Sequence, residues 1–183
     1  SVSPVVSGSS STATYAGTSH SINQFVGTYP SYLGAESYTV ASGTAFTQQD
    51  VKQGRKVVVI GQTVAEDLFG TIDPIDKQIT VNGNLFTVVG VLASKDSSGF
   101  NDPNDVALAP ITAVQASLTG YGSLSQIIIE ATSVDTVTTA QSEVTAILNE
   151  QLKVTNTSSE PFTVRSASQL LSTSQSTSET FIV

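Results

Sequence analysis

The central block of the chain, residues 56–92, reads KVVVIGQTVAEDLFGTIDPIDKQITVNGNLFTVVGVL. Its opening run, Val57–Ile60, is β-branched throughout and predicts a strand that is buried on both faces. A helix is expected next, over residues 64–69. Thr63 is its predicted N-cap, with Glu66 three residues later completing a capping box, and Gly70 is its predicted C-terminal stop.

The second half of this block predicts a β-hairpin. Two β-branched runs, at residues 78–81 and 85–92, flank the dipeptide Asn82-Gly83. Both central residues of a tight hairpin turn need positive φ, and Asn-Gly satisfies that need at low steric cost.

Toward the C-terminus, the pattern predicts alternating strands and helices. Residues 94–105 are a polar loop, 106–110 a short strand and 111–118 a short helix. A strand at 127–129 precedes a helix with Asp135 as N-cap, whose apolar residues recur at helical spacing. We expect a closing strand at residues 162–164 and a polar helix over 168–183.

Toward the N-terminus the signals weaken. Residues 1–20 predict one strand in a Ser/Thr-rich surround, and the tracts 7–12 and 172–178 have the composition of disordered segments. Residues 21–38 predict a strand, a turn at 28–30 and a short helix. A strand at 40–43 is followed by a short segment that Phe46 anchors and that ends at Asp50. Together, the predicted strands and helices indicate an α+β domain.

The amino-acid composition argues against several classes of function. Only 12% of the residues are charged, and the net charge is −8. An acidic surface repels phosphate backbones, so the composition argues against a nucleic-acid partner. The chain has no Cys, which excludes disulfides, thiolate catalysis and Cys-ligated zinc.

No motif marks a catalytic or cofactor site. His20 is the only histidine, no Gly-x-Ser-x-Gly elbow is present, and no Walker-type loop occurs that could bind ATP. We therefore expect an ordinary surface role for His20, no catalytic, cofactor-binding or metal-binding residue, and no cofactor. The sequence does not indicate which residues bind a partner.

Three groups of residues allow a second interpretation. The loop from Asp96 to Asp105 collects oxygen ligands and could hold Ca²⁺, but its spacing differs from an EF-hand, so we interpret it as a solvated acidic loop. Glu66-Asp67 is interpreted as a charged helix surface. Aromatic residues could line a groove, although we expect them in the core: Tyr29, Tyr32, Tyr38, Phe46 and Phe100.

The chain has no Met, and no apolar run in it approaches the length of about 20 residues that spans a bilayer. We expect a fragment excised from a longer protein. The apolar residues 181–183 are interpreted as the start of a membrane helix, so both chain ends are expected close together on the face toward the membrane.

The ordered set of these segments resembles the periplasmic core domain of the macrolide-exporter (MacB-like) permease family. The segments that carry the resemblance are residues 27–33, 41–50, 57–61, 64–70, 73–83, 86–92, 105–110 and 127–164. Two positions depart from the family pattern. Asp76 stands where the family usually has Gly, and Thr44 stands where Arg is common.

The resemblance implies a non-catalytic extracytoplasmic domain at the cell membrane. It would lie between the first and second of four membrane helices of an ABC transporter permease. The domain would couple motion driven by a cytoplasmic ATPase, fused or separate, to export, with an adaptor protein and a second permease copy as partners. A porter-like βαβ lobe, residues 1–44 and 122–183, would be interrupted by a small strand-rich lobe, residues 45–121.

Two alternatives remain open at this point. One is a lipoprotein-releasing or division-type permease domain, and the other is a secreted ligand-binding or adhesion module. A membrane helix after residue 183 would eliminate the secreted module. Neither the transported substrate nor the identity of the adaptor follows from the sequence.

Overall fold

The structure is a computed structural model that describes residues 1–8, 11–96, 102–122, 124–131, 133, 136–153 and 162–166. The chain divides into two compact units, Ser1–Glu130 and Ala131–Val183. Among the described residues, the first unit contains one mixed sheet, four short α-helices and a π-helix, and the second contains one longer helix. The fold class is α+β, as predicted.

The strands of the first unit alternate with its helices along the chain. The strands are β1 (Val2–Gly8), β2 (Ser11–Tyr15), β3 (Thr18–Ile22), β4 (Gln24–Thr28), β5 (Val40–Gly43), β6 (Val57–Ile60), β7 (Gln78–Val81), β8 (Asn84–Leu92), β9 (Val106–Pro110) and β10 (Gln126–Ile129). The helices are α1 (Ser31–Ala35), α2 (Gln48–Gln53), α3 (Gln62–Phe69) and α4 (Ile111–Val114), and a π-helix, Gln115–Thr119, continues α4.

The sheet has the order β10-β1-β4-β9-β6-β8-β7-β2-β3, with β5 paired to β8 outside this row. The pairs β4–β9 and β6–β8 are parallel, and the remaining ladders are antiparallel. Strand β6 lies between two neighbours and all four of its residues are buried. The sequence prediction for this strand is therefore confirmed.

The predicted hairpin is also confirmed. Asn82 and Gly83 both have positive φ, 46° and 83°, and Val81 pairs with Asn84 across the turn. The strand Gln126–Ile129 pairs with β1, and both strands belong to the predicted porter-like lobe of residues 1–44 and 122–183. Strands β4 and β2 pair in turn with β9 and β7, which lie in the middle segment of the chain. The division into lobes 1–44 with 122–183 and 45–121 stays a prediction.

The N-terminal prediction of one strand is wrong, because residues 1–22 form β1, β2 and β3. The described part of the Ser/Thr-rich tract 7–12 lies within strands rather than in a disordered segment. Thr residues suit a pleated surface. Ala13 of β2 and Ile22 of β3, which follow the tract in the chain, are buried in the core. Ser11 is buried beside them, and its backbone pairs with Ile22.

Helix α3 begins two residues earlier than predicted, and its cap differs. Its N-cap is Gly61, not Thr63, and no side chain caps it. The Thr63 hydroxyl instead donates to the Asp102 carboxylate. The C-terminal stop at Gly70 is confirmed, with φ of 58°.

Close backbone packing fixes two glycines of the sheet. A Cβ on Gly90 of β8 would lie 2.3 Å from the carbonyl oxygen of Thr44, which directly follows β5, the strand paired with β8. A Cβ on Gly27 would lie 2.7 Å from the Cβ of Val114, where α4 packs on β4. Only glycine permits these approaches without a shift of the neighbour.

The second unit contains α5 (Val137–Gln151), whose N-cap is Thr136. The predicted N-cap Asp135 lies outside the described residues, as do the predicted helix 168–183 and the chain end. Residues 162–166 form no strand, so the closing strand predicted at 162–164 is wrong. The predicted proximity of the two chain ends involves residues that the structure does not describe.

Among the described residues, no helix is both long enough and apolar enough to cross a membrane.

Candidate functional site

A polar cluster of the first unit surrounds His20 on β3. One ring nitrogen, Nδ1, lies 2.9 Å from Oδ2 of Asp67 on α3. The other, Nε2, lies 2.8 Å from Oδ1 of Asp105, directly before β9. The His20 side chain is 15% exposed, so the expectation of an ordinary surface residue is wrong.

The two carboxylates differ in their surroundings. The Asp105 side chain is only 8% exposed, whereas the Asp67 side chain is 54% exposed. The backbone also holds Asp105 in place, because its carbonyl oxygen accepts a hydrogen bond from Gln24 of β4. His20 thus joins an interior carboxylate to one at the surface of α3.

A second network lies next to this cluster in the chain. The Asp102 carboxylate accepts hydrogen bonds from the Thr63 hydroxyl at 2.5 Å and from the Asn104 backbone N–H at 2.8 Å. These donors, the Thr63 hydroxyl first, hold the pKa of Asp102 below its usual value of 3.8. The segment 102–105 is therefore tied to α3 twice, through Thr63 and, by way of His20, through Asp67.

The same loop is closed on its other side. The Asn104 side chain accepts from the Lys95 backbone N–H at 2.7 Å and donates to the Lys95 carbonyl at 2.9 Å. The Lys95 ammonium lies 4.1 Å from the centre of the Tyr38 ring and donates to the Glu36 carbonyl. These bonds and that of Thr63 with Asp102 hold Lys95 and residues 102–104 against the end of α1 and against α3.

This arrangement gives the calcium hypothesis no support. Within the described ranges, no group of three or more His, Asp or Glu side chains is placed to hold a metal ion. Asp102 and Asp105 instead accept hydrogen bonds from protein donors, as shown above. Residues 97–101 of the loop lie outside the described residues.

The aromatic residues belong to the core or pack against it, as expected. Phe46 is 2% exposed and Tyr32 8%, while Tyr29 and Tyr38 are partly buried against the core. Burial raises the pKa of Tyr38 and raises that of Tyr32 further, since desolvation disfavours a phenolate. Phe100 lies outside the described residues.

One polar cluster was missed in the sequence although its signal is local. Thr47 and Asp50 form a capping box at the start of α2, where only a short segment was predicted. The Asp50 carboxylate accepts from the Thr47 backbone N–H and hydroxyl, both at 2.7 Å, and from the Arg55 guanidinium at 3.1 Å. The Thr-x-x-Asp spacing is a variant of the usual Ser/Thr-x-x-Glu signature.

Chemically, these clusters are suited to holding elements together. Each ring nitrogen of His20 faces a carboxylate, one on α3 and one directly before β9. The His20 ring therefore links β3 to α3 and to the segment before β9.

Comparison with known proteins identifies the class. Residues 1–147 match the model of the MacB-like periplasmic core domain. The macrolide export ATP-binding/permease protein MacB of Chlorobaculum tepidum is 30% identical over 138 residues, which are 75% of this chain and 21% of that protein. The corresponding protein of Rhodospirillum rubrum is 33% identical over 124 residues, 67% of this chain and 19% of that protein.

Two solved structures share the fold. The periplasmic region of MacB from Actinobacillus actinomycetemcomitans superposes with a TM-score of 0.71 at 25% identity, covering 82% of this chain and 66% of that one. The extracellular domain of the noncanonic ABC-type transporter YknZ from Gram-positive bacteria gives a TM-score of 0.71 at 24% identity, covering 83% and 75%.

The chain belongs to the MacB-like periplasmic core domain family, because that model covers most of its length. It spans about a fifth of the length of the curated relatives it matches. The resemblance inferred from the sequence segments is confirmed.

Proposed function

We propose that this chain is the extracytoplasmic domain of an ABC transporter permease that exports a substrate across the cell membrane. The observation that carries the proposal is the family match over residues 1–147. The relatives that align with it are described as ATP-binding/permease proteins. The domain would lie between the first two membrane helices of the permease.

The proposed role is mechanical and non-catalytic. The chain has no Walker-type loop, so a separate or fused cytoplasmic ATPase would supply the energy. Nine strands are hydrogen-bonded in one row of the sheet, and helices pack on them. Such a body is suited to transmitting motion as a unit. Its partners would be the ATPase, a second permease copy and an adaptor protein, and no nucleic acid.

We also propose the two-lobe division, with the porter-like lobe formed by residues 1–44 and 122–183. The pairing of β1 with β10 supports it, because these strands come from the two ends of the proposed lobe. The inserted lobe, residues 45–121, contains the β7–β8 hairpin and α3.

Two other functions compete with this proposal. A lipoprotein-releasing or division-type permease would place the same domain at the same membrane surface but would transmit its motion to a different partner. A secreted ligand-binding module would need no membrane helices at all. The export role is favoured because the aligned curated relatives named above are export proteins.

The test uses the intact permease with its ATPase in lipid nanodiscs, with an adaptor encoded next to it in the genome. We expect the adaptor to stimulate ATP hydrolysis of the intact transporter, and to have no effect once residues 1–183 are replaced by a short linker. A linker variant that is stimulated equally would refute the coupling role. The isolated domain should hydrolyse no ATP, and turnover that survives repeated purification would refute the non-catalytic role.

A further inference from the structure

The cluster of His20, Asp67 and Asp105 is here called the His20 latch. It joins three elements that are distant in the sequence: β3, α3 and the segment before β9. Of the ion pairs between described residues, those of Asp67 and Asp105 both use His20, and the third joins Arg55 to Asp50. His20 is thus the basic partner of both carboxylates in the latch. Histidine is the residue type whose charge ordinarily changes near neutral pH.

The geometry defines the protonation that the latch requires. An ionised carboxylate only accepts hydrogen bonds, so a ring that bonds two carboxylates must donate from both nitrogens. A neutral imidazole carries one N–H, whereas the imidazolium carries two. Both distances, 2.9 Å and 2.8 Å, fall in the range of charge-assisted hydrogen bonds.

The other ionisable groups nearby are already engaged. On α3, Glu66 accepts a hydrogen bond from Gln62. In the segment before β9, Asp102 accepts from Thr63 and Asn104. On β2, the neighbouring strand, Tyr15 packs its ring on Phe69 with centroids 4.3 Å apart. All the charged groups that these elements add are acidic.

We propose that the His20 latch is a pH-responsive device that fastens α3 and the segment 102–105 to β3 while His20 carries both protons. When the ring loses one proton, one nitrogen and its carboxylate become two facing acceptors. That contact is then repulsive, and Asp67 and Asp105 lose their shared cation. The fastening is therefore complete while the ring carries both protons, and it weakens as rising pH removes one of them.

The amino-acid composition makes the first measurement unambiguous. Because the chain holds one histidine, every imidazole resonance in a ¹⁵N NMR spectrum belongs to His20. At pH 6 we expect both ring nitrogens to be protonated, with one proton lost by pH 8.5. A neutral ring at pH 6, with the second proton on Asp105, would overturn the proposal.

The second measurement is amide hydrogen exchange between pH 6 and pH 8.5, corrected for the intrinsic rate at each pH. In the wild-type domain, protection of the α3 amides should fall about tenfold, because a charge-assisted hydrogen bond is lost. The buried strand β6 serves as the internal reference and should keep its protection. Unchanged α3 protection while the ring titrates would overturn the proposal.

Two variants separate the latch from other effects. His20→Gln has no second ionisation state, so its α3 protection should not change across this range. An α-amino group also titrates in this window, and the variant keeps it. Asp67→Asn removes only the exposed carboxylate and should reduce the pH response without unfolding the domain. An undiminished response in either folded variant would refute the assignment to His20.

Discussion

The α-carbon of Gly61 packs directly against the carbonyl oxygen of Asn104. A Cβ on Gly61 would lie 2.1 Å from that oxygen, closer than real Cβ atoms come to any heavy atom. The Gly61 N–H also donates to the Val106 carbonyl at 2.8 Å. The junction of β6 and α3 therefore packs closely against the segment that carries Asp102 and Asp105.

This contact predicts a severe effect of Gly61→Ala. The neighbour is backbone and cannot rotate away, so the strand–helix junction must shift, at a cost of about 2 kcal/mol or more in unfolding free energy. Urea denaturation followed by circular dichroism measures it. Gly34→Ala is the matched control, because nothing lies within 4 Å of a Cβ there and Gly34 is helical. Alanine at position 34 should be neutral or stabilising by about 0.5–1 kcal/mol. Equal destabilisation by the two changes would contradict the packing argument.

The capping box of α2 predicts a pH-dependent stability. The pKa of Asp50 lies below its usual value of 3.8, chiefly because the Thr47 hydroxyl donates to it, with the Thr47 backbone N–H and Arg55 also lowering it against the effect of burial. A carboxyl group with a lowered folded-state pKa stabilises the fold above its unfolded-state pKa. That contribution is lost as the pH falls through the folded-state pKa.

Thr47→Ala should raise the pKa of Asp50 and reduce the unfolding free energy at pH 7 by about 1 kcal/mol, the typical effect of losing an N-cap. Thr47→Ser keeps the hydroxyl and is the control. Denaturant melts at pH 7 and pH 3 should show a smaller difference between wild type and Thr47→Ala at pH 3. A constant difference between the two pH values would show that Asp50 ionisation is not involved.

Asp76 occupies a left-handed backbone position, with φ of 60°, where the family pattern usually has Gly. Its backbone N–H donates to the Val88 carbonyl at 2.9 Å, so the turn is held in this conformation. Asp76→Gly removes the steric cost of a Cβ in this region and should raise the unfolding free energy by up to about 1 kcal/mol. Asp76→Asn removes the charge but keeps the Cβ. If thermal denaturation finds the two variants equally stabilised, charge is the cause instead of backbone conformation.

The isolated domain should be monomeric or only weakly dimeric. Its net charge of −8 is self-repelling at low salt, and in the proposed permease the membrane helices and ATPases would supply most of the contact between copies. Light scattering at micromolar concentration and low ionic strength is the measurement. A tight dimer under these conditions would refute this prediction.

Sequence alone predicted those elements whose signals are local. The buried run Val57–Ile60, the stop at Gly70 and the turn at Asn82-Gly83 were all found as predicted. Each depends on residues close together in the chain: a β-branched run, or a backbone position that glycine or asparagine tolerates. The ordered set of such segments was also sufficient to identify the family.

Local signals failed where a residue's partner is distant in sequence. Thr63 looked like an N-cap, but Asp102 takes its hydroxyl. Residues 1–20 were predicted to hold a single strand in a Ser/Thr-rich surround, yet β2 and β3 also form there. Strand β7 pairs with β2, and α3 packs on both β2 and β3. Residues 162–164 have a strand-like composition, but residues 162–166 form no strand and pair with no strand of the described ranges.

The sequence by itself therefore determined the α+β class, the central strand–helix–hairpin unit and the family. Only the tertiary structure decided the order of the strands and the surroundings of His20. The physical reason is that local backbone preference is encoded within a few residues, whereas the energy of a sheet order or an ion cluster arises between segments brought together by folding. No spacing in the chain indicates that β3, α3 and the segment before β9 meet, and it is their meeting that gives the single histidine two carboxylates.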